Sequence, residues 1–302
     1  MKAIVVSKYG GSDVMEFKDF PDPSPGPDEV LVRIAATSIN PIDTKRRSGE
    51  MKAFMPINFP GILGVDVAGT VIACGQEVKG FSTGDRVFGM ADQTYAELCV
   101  VSAKSLAKIP SGLDPVEAAA LPLVTTTGYQ LIANGARGQR GQTVLVTGAL
   151  GNVGRAAVFT AKSRGARVIA GVRKKQIEQA GALDVDGVVA VDDNDAIASL
   201  HALDAVADTV NGTTAELLIG KVKAGGIFAS VLGPPKNSAD YSSVKVVPVF
   251  AQPDAKALLE MATAVVEGRL AIPIAAKKPL KDAGQAHDLV AKGISGKVLL
   301  VP

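Results

Sequence analysis

Thr143-Val-Leu-Val-Thr147-Gly148-Ala149-Leu150-Gly151-Asn152-Val153-Gly154 is an apolar strand running into a turn with glycines at 148, 151 and 154, followed by a helical run of Ala and Val. Each glycine has its own use there. The first lets the chain reverse, the second lets the backbone approach a pyrophosphate, and the third lets helix and strand pack closely. The helix start adds free N–H groups and positive potential. In a chain with 32 glycines such a string is weak alone, so context decides. A strand before it, a helix after it and another strand at Arg167-Val-Ile-Ala-Gly171 make it a dinucleotide site. The expected contacts are Gly148, Ala149, Leu150, Gly151, Asn152 and Val153.

Outward from this turn the pattern continues. Gly187-Val-Val-Ala-Val191, Ala205-Val-Ala-Asp208 and Gly226-Ile-Phe-Ala-Ser-Val231 are apolar runs of strand length with helix-length stretches between most of them. That alternation predicts a doubly wound α/β domain on a parallel sheet. From Met1 to about Pro110, short apolar runs separated by Gly and Pro predict a β-rich, partly barrel-like domain. Asp114-Pro115 before Val116-Glu-Ala-Ala-Ala120 reads as a helix cap. A helix is expected from about Pro253 to Glu267, and Gly296-Lys-Val-Leu-Leu-Val-Pro302 closes as a strand. The expected division is a discontinuous domain of residues 1–122 and 264–302 around a nucleotide-binding domain of residues 123–263, in keeping with a 302-residue chain.

The end of the second Rossmann strand selects the nucleotide. An Asp or Glu there would bind the adenosine ribose hydroxyls of NAD. Instead Gly171-Val172 is followed by Arg173, Lys174 and Lys175. A planar guanidinium and point-charge ammoniums suit a ribose 2′-phosphate, so NADPH is the expected cofactor.

Composition excludes several classes. Thirty-two basic against thirty acidic residues, with no polybasic block, exclude nucleic acid as an indicated partner. No window approaches a membrane span, and Lys8 interrupts the first apolar run before a signal-peptide core could form, so a cytosolic protein is expected. Cys74 and Cys99, the only cysteines, exclude a four-cysteine zinc site and are expected to be buried. His201 and His287, the only histidines, supply a catalytic metal poorly and read as surface or packing residues.

The segments Ser38 to Gly49, Pro60 to Gly69, Gly84 to Gly89, Ala118 to Pro122 and Thr126 to Tyr129 resemble, in order, motifs of the medium-chain dehydrogenase/reductase superfamily, especially its quinone oxidoreductase and zeta-crystallin branch. The resemblance implies a GroES-like catalytic domain beside the Rossmann domain. Zinc-dependent members ligate the metal through a cysteine and a histidine at positions matching Asn40 and Val65, so the metal-free branch is implied. It further implies that Asn40 reaches the nicotinamide ribose region, that Thr127 contacts the cofactor, that Val231, Leu232 and Gly233 lie against the nicotinamide, and that the protein forms a homodimer along a Rossmann-sheet edge.

Without a metal to polarise it, the substrate must carry its own electron sink, as quinones, enals and enones do. The expected activity is therefore NADPH-dependent reduction of a quinone or conjugated carbonyl. The alternatives are a cofactor-binding protein with little chemistry, as in lens crystallins, or an enoyl-thioester reductase. Asp43, beside Asn40 in the catalytic segment, is assigned the orientation of the Asn40 loop in preference to proton transfer. Asp66 and Asp85 read as structural turn residues. Lys297 is open between the active cleft and a solvated strand. Tyr241-Ser-Ser-Val-Lys245 imitates a short-chain dehydrogenase pair and reads as coincidence, since that family's glycine spacing is absent at the start of the chain.

Overall fold

A computed structural model describes all residues from Met1 to Pro302. The chain groups into two compact units, the first of residues 1–123, 253–268 and 272–302 and the second of residues 124–252 and 269–271.

The second unit is built on a six-stranded parallel sheet. Across the sheet the strands run Gly187–Ala190, Arg167–Val172, Thr143–Thr147, Leu203–Asp208, Val222–Ser230 and Lys245–Pro248. Numbered along the chain this is the order 3-2-1-4-5-6, whose reversal beside the first strand opens a crevice at the strands' carboxyl ends. The central strands are apolar on both faces because both faces are covered. Val144, Val146 and Ala157 belong to one core cluster, and Leu145, Val206, Leu218 and Phe228 to another.

The first unit carries a sheet in the order Ile274–Pro279, Lys297–Val301, Glu29–Ser38, Asp66–Cys74, Arg86–Met90 and Leu106–Lys108, with Leu98–Ser102 also pairing to Glu29–Ser38. Lys2–Val6 forms a smaller sheet with Met15–Asp19 and Gly61–Ile62. The expected cap at Asp114 is present, its Oδ1 accepting the N–H groups of Val116 and Glu117 at 2.9 and 3.2 Å.

The expected late helix spans Ala255–Val266, and its Leu258 and Ala262 join Ala36, Phe88 and Leu299 in the first unit's core. This apolar face brings the chain into the first unit at Pro253, ahead of the expected return at 264. Cys99 is buried, and burial pushes its thiol up to about 12. Cys74, expected inside, is exposed because its strand ends there. No helix is long and apolar enough to cross a membrane.

Candidate functional site

In the second unit, Gly148 adopts φ +60, and Gly151 precedes the helix Asn152–Ser163 with no side chain capping its first N–H groups. A Cβ on Gly154 would stand 2.1 Å from the Gly148 carbonyl oxygen. The helix is thus seated against the turn as closely as backbone allows, with its free N–H groups at the carboxyl end of the sheet. Gly171 is similarly constrained, its Cβ position lying 2.8 Å from Val191.

Asp208, at the end of the strand Leu203–Asp208, organises this edge. It is fully buried and accepts hydrogen bonds from Thr147 Oγ1 at 2.9 Å, Ser230 Oγ at 2.8 Å, and the N–H groups of Val210 and Asn211 at 3.1 Å each. One carboxylate therefore ties together the ends of three strands. Beyond Ser230, Val231 donates its N–H to Asp208 O, Leu232 is 45% exposed, and Gly233 takes φ +95. Asn211 Nδ2 holds the Leu232 carbonyl at 2.9 Å.

Arg173, Lys174 and Lys175 are all exposed. Lys174 is engaged, its ammonium 3.0 Å from Asp193 and its N–H donated to Asp192 Oδ1 at 2.7 Å. Its hydrogen bond holds the Asp193 carboxyl below the ordinary value. The end of the second strand itself, Gly171 to Lys175, carries no carboxylate. The parallel pairing of Arg167–Val172 with Gly187–Ala190 brings two from the end of the next strand.

In the first unit, Asn40 caps the helix Pro41–Ser48. Its N–H is donated to Asp43 Oδ2 at 2.8 Å, the local orienting bond expected of Asp43. Asp43 also accepts from the Tyr95 hydroxyl at 3.0 Å, while its Oδ1 is buried with no partner. Burial pushes this carboxyl up to about 7, against the opposing hydrogen bond from Asn40. Tyr95 in turn lies 3.1 Å from His287 Nε2, and His287 Nδ1 lies 3.1 Å from an Arg47 guanidinium nitrogen. Burial lowers His287 to about 3, so the ring is neutral. Its packing role stands, with a hydrogen-bonding role that sequence did not reveal. His201 is exposed.

The side chain of Asn40 enters a second cluster. Asn40 Nδ2 donates to Asp66 Oδ2 at 2.7 Å, and Lys297 Nζ donates to Asn40 Oδ1 at 2.6 Å and to Ile39 O at 3.2 Å. Lys297 is 3.4 Å from Asp66 Oδ2. The Ser38 hydroxyl also donates to that oxygen, and the Leu123 N–H to Asp66 Oδ1 at 2.7 Å. Asp66 is thus no turn residue. It opens the strand Asp66–Cys74 and is fully buried. Lys297, 2% exposed, is no solvated lysine either. Burial lowers its pKa, and the Asp66 and Asp43 carboxyls oppose that shift.

A zinc ion does not fit this donor set. Val65 offers no ligating side chain, and the Asn40 oxygen faces an ammonium that would repel a second cation. No group of three His, Cys, Asp or Glu side chains elsewhere is arranged to hold a metal. Asp85 pairs with Lys108 at 2.8 Å, a structural role. Tyr241 packs against the second unit's core while Lys245 is exposed, and the structure records no bond between them. Thr127, 9% exposed, lies on the helix Pro122–Gln130.

A family model described as an alcohol dehydrogenase GroES-like domain matches residues 26–111, and one described as a zinc-binding dehydrogenase matches residues 183–300. The chain is 32% identical over 328 residues to a chloroplast envelope quinone oxidoreductase homolog of Arabidopsis thaliana, covering 100% of this chain and 98% of that one. It is 31% identical over 326 residues to a quinone oxidoreductase of Sus scrofa, again covering 100% and 98%. The solved structure of an Escherichia coli quinone oxidoreductase, complexed with NADPH, matches with a TM-score of 0.86 at 27% identity, covering 100% of both chains. With a GroES-like region, a Rossmann sheet and full-length likeness to these oxidoreductases, the chain belongs to the medium-chain dehydrogenase/reductase superfamily, among the quinone oxidoreductase homologues.

Proposed function

We propose that the protein is an NADPH-dependent reductase that directs hydride onto a quinone or an α,β-unsaturated carbonyl without a metal ion. The observation that carries this reading is the glycine cradle at 148 to 154, whose uncapped helix start and lack of room for a Cβ at Gly154 fit a pyrophosphate. NADPH, when bound, supplies the hydride.

The chain's own residues do the rest. The uncapped amides of Asn152 and Val153 at the helix start hold the diphosphate against the turn from Gly148 to Gly151, and Asp208 keeps the ends of three strands fixed around it. Gly171 leaves the backbone open at the end of the second strand. Arg173 and Lys175, with Lys174 fixed by its acidic neighbours, neutralise the 2′-phosphate. Val231, Leu232 and Gly233 form the surface for the nicotinamide, with Thr127 as a further cofactor contact. Asn40 provides a hydrogen-bonding amide from a rigid helix cap, oriented through Asp43. Positioning of this kind supplies most of the acceleration when the substrate can delocalise the incoming charge itself.

The test is the loss of NADPH absorbance with a panel of quinones, enals and enones, NADH in a parallel series and a chelator in one arm. Substrate-dependent oxidation that is faster with NADPH and indifferent to chelator is expected. Flat traces despite tight cofactor binding would leave a binding protein, and no calorimetric heat with either coenzyme would remove the reading altogether.

A further inference from the structure

The carboxylate missing from the end of the second Rossmann strand is returned to it by the neighbouring strand. The Val191 N–H is donated to Val172 O at 2.8 Å, and one residue later Asp192 Oδ1 accepts the Lys174 N–H at 2.7 Å. On the other side, the Ala149 N–H is donated to Gly171 O at 3.2 Å, which joins the glycine turn to the same strand end. Turn, cations and Asp192 therefore lie side by side at the carboxyl ends of three adjacent parallel strands, all within the second unit. In a Rossmann sheet the adenosine ribose of a dinucleotide is bound there.

The two acidic residues differ in what they have left to offer. Asp193 is engaged by the protein itself. Its Oδ2 meets the Lys174 ammonium at 3.0 Å, and its Oδ1 caps the helix Asn194–Ala198 by accepting the N–H groups of Asp195 and Ala196 at 3.1 and 3.2 Å. Asp192 is exposed, pairs with no cation and is bonded only through Oδ1. Its Oδ2 is open, and an ionised carboxylate can only accept. An unphosphorylated ribose presents hydroxyl donors to such an oxygen, whereas a 2′-phosphate presents charge of the same sign. Arg173 and Lys175 act in the opposite sense. One strand edge thus carries a recognition group for each form of the coenzyme.

We infer that Asp192 is a specificity-determining residue whose open carboxylate oxygen accepts an adenosine ribose hydroxyl of NADH, an assignment that rests on the glycine turn being the coenzyme site. The site then takes NADH as well as NADPH, and Asp192 sets the ratio between them.

The main variant is Asp192→Asn, which removes the charge while its amide oxygen still accepts the Lys174 N–H and keeps the loop in place. Circular dichroism checks its fold, and calorimetry on the full chain gives the Kd for each coenzyme. The wild type should bind both. In the variant the Kd for NADH should rise about tenfold, the loss of one hydrogen bond to a charged acceptor. The Kd for NADPH should fall about threefold, as a like charge leaves the neighbourhood of the phosphate. Opposite movements are the signature of the contact, because a residue that only staples the loop would move both coenzymes in the same direction or neither. Unchanged values, or values that move together, would overturn the role of Asp192, and so would a wild type that binds NADPH but gives no heat with NADH. The glycine-turn reading survives all of these results. Absence of heat with either coenzyme in the wild type would remove that reading and the Asp192 contact with it.

Discussion

The imidazole of His287 meets the ring of Tyr95 edge-on, with centroids 5.6 Å apart, planes at 87° and Nε2 3.1 Å from the phenol oxygen. Because a guanidinium can only donate, Arg47 fixes His287 Nδ1 as the acceptor and leaves Nε2–H to point at Tyr95. The Tyr95 O–H then has Asp43 as its acceptor. Hydrogen bonds thus run in one direction, from Arg47 through His287 and Tyr95 to Asp43.

Tyr95→Phe cuts this chain at its middle. It leaves a buried imidazole N–H unpaired and takes a donor from a carboxyl group whose other oxygen is already without one. Each loss costs about 1–3 kcal/mol, so the variant should lose about 3 kcal/mol in urea unfolding with an unchanged m-value. A midpoint equal to that of the wild type would show that the chain contributes nothing.

The same cluster carries a proton exchange that stability measurements can read. Asp43 rises from 3.8 to about 7 on folding and His287 falls from 6.5 to about 3. Between pH 3.8 and 6.5 the unfolded chain holds one proton on the imidazole, and the folded chain holds one on the carboxyl group. The proton count is equal, and this pair leaves stability flat. The contribution of Asp43 alone is full below 3.8 and lost as pH rises to about 7; that of His287 is full above 6.5 and lost as pH falls to about 3. Each single substitution should expose the other's slope. His287→Gln should lose stability from pH 4 to 7, and Asp43→Asn should gain it from pH 3 to 6.5, each by on the order of 4 kcal/mol. Parallel pH curves for both variants and the wild type would contradict the exchange.

The nucleotide-binding unit was legible because its signals are local. A turn, a cap and alternating apolar runs all act within a few residues, and so does the Asn40 to Asp43 bond. The Asn40, Asp66 and Lys297 cluster was not legible, because its members lie 26, 231 and 257 positions apart pairwise. Polar pairs formed by strand pairing between distant segments leave no period in the sequence. Asp192 and Asp193 escaped notice for the same reason. Lys174 meets them only once the second and third Rossmann strands pair.

Gly154→Ala tests the cradle without adding charge. The new methyl would stand 2.1 Å from a backbone oxygen that has no flexible end to move. The helix must withdraw from the turn, carrying its free N–H groups away from the diphosphate position. NADPH binding should weaken by at least tenfold by calorimetry. Retention of wild-type affinity would show that the helix start is not the anion site.

Coenzyme choice separates the three cations by their partners. Arg173 and Lys175 have no carboxylate partner in the structure, whereas Lys174 is paired with Asp193 and anchored by Asp192. Arg173→Ala should therefore raise the KM for NADPH by about tenfold or more and leave that for NADH nearly unchanged, since only NADPH brings the extra phosphate. Lys174→Ala should act by another route. It leaves the Asp193 carboxylate without its counter-ion, so an uncompensated negative charge remains in this loop region. That charge disfavours the phosphate and does not oppose an unphosphorylated ribose. The ratio of kcat/KM for NADPH to that for NADH should fall in both variants. Pairing Lys174→Ala with Asp193→Asn should restore part of the ratio, while pairing Arg173→Ala with Asp193→Asn should restore less. Equal recovery in the two double variants would mean that Lys174 meets the phosphate directly and that its acidic neighbours are incidental.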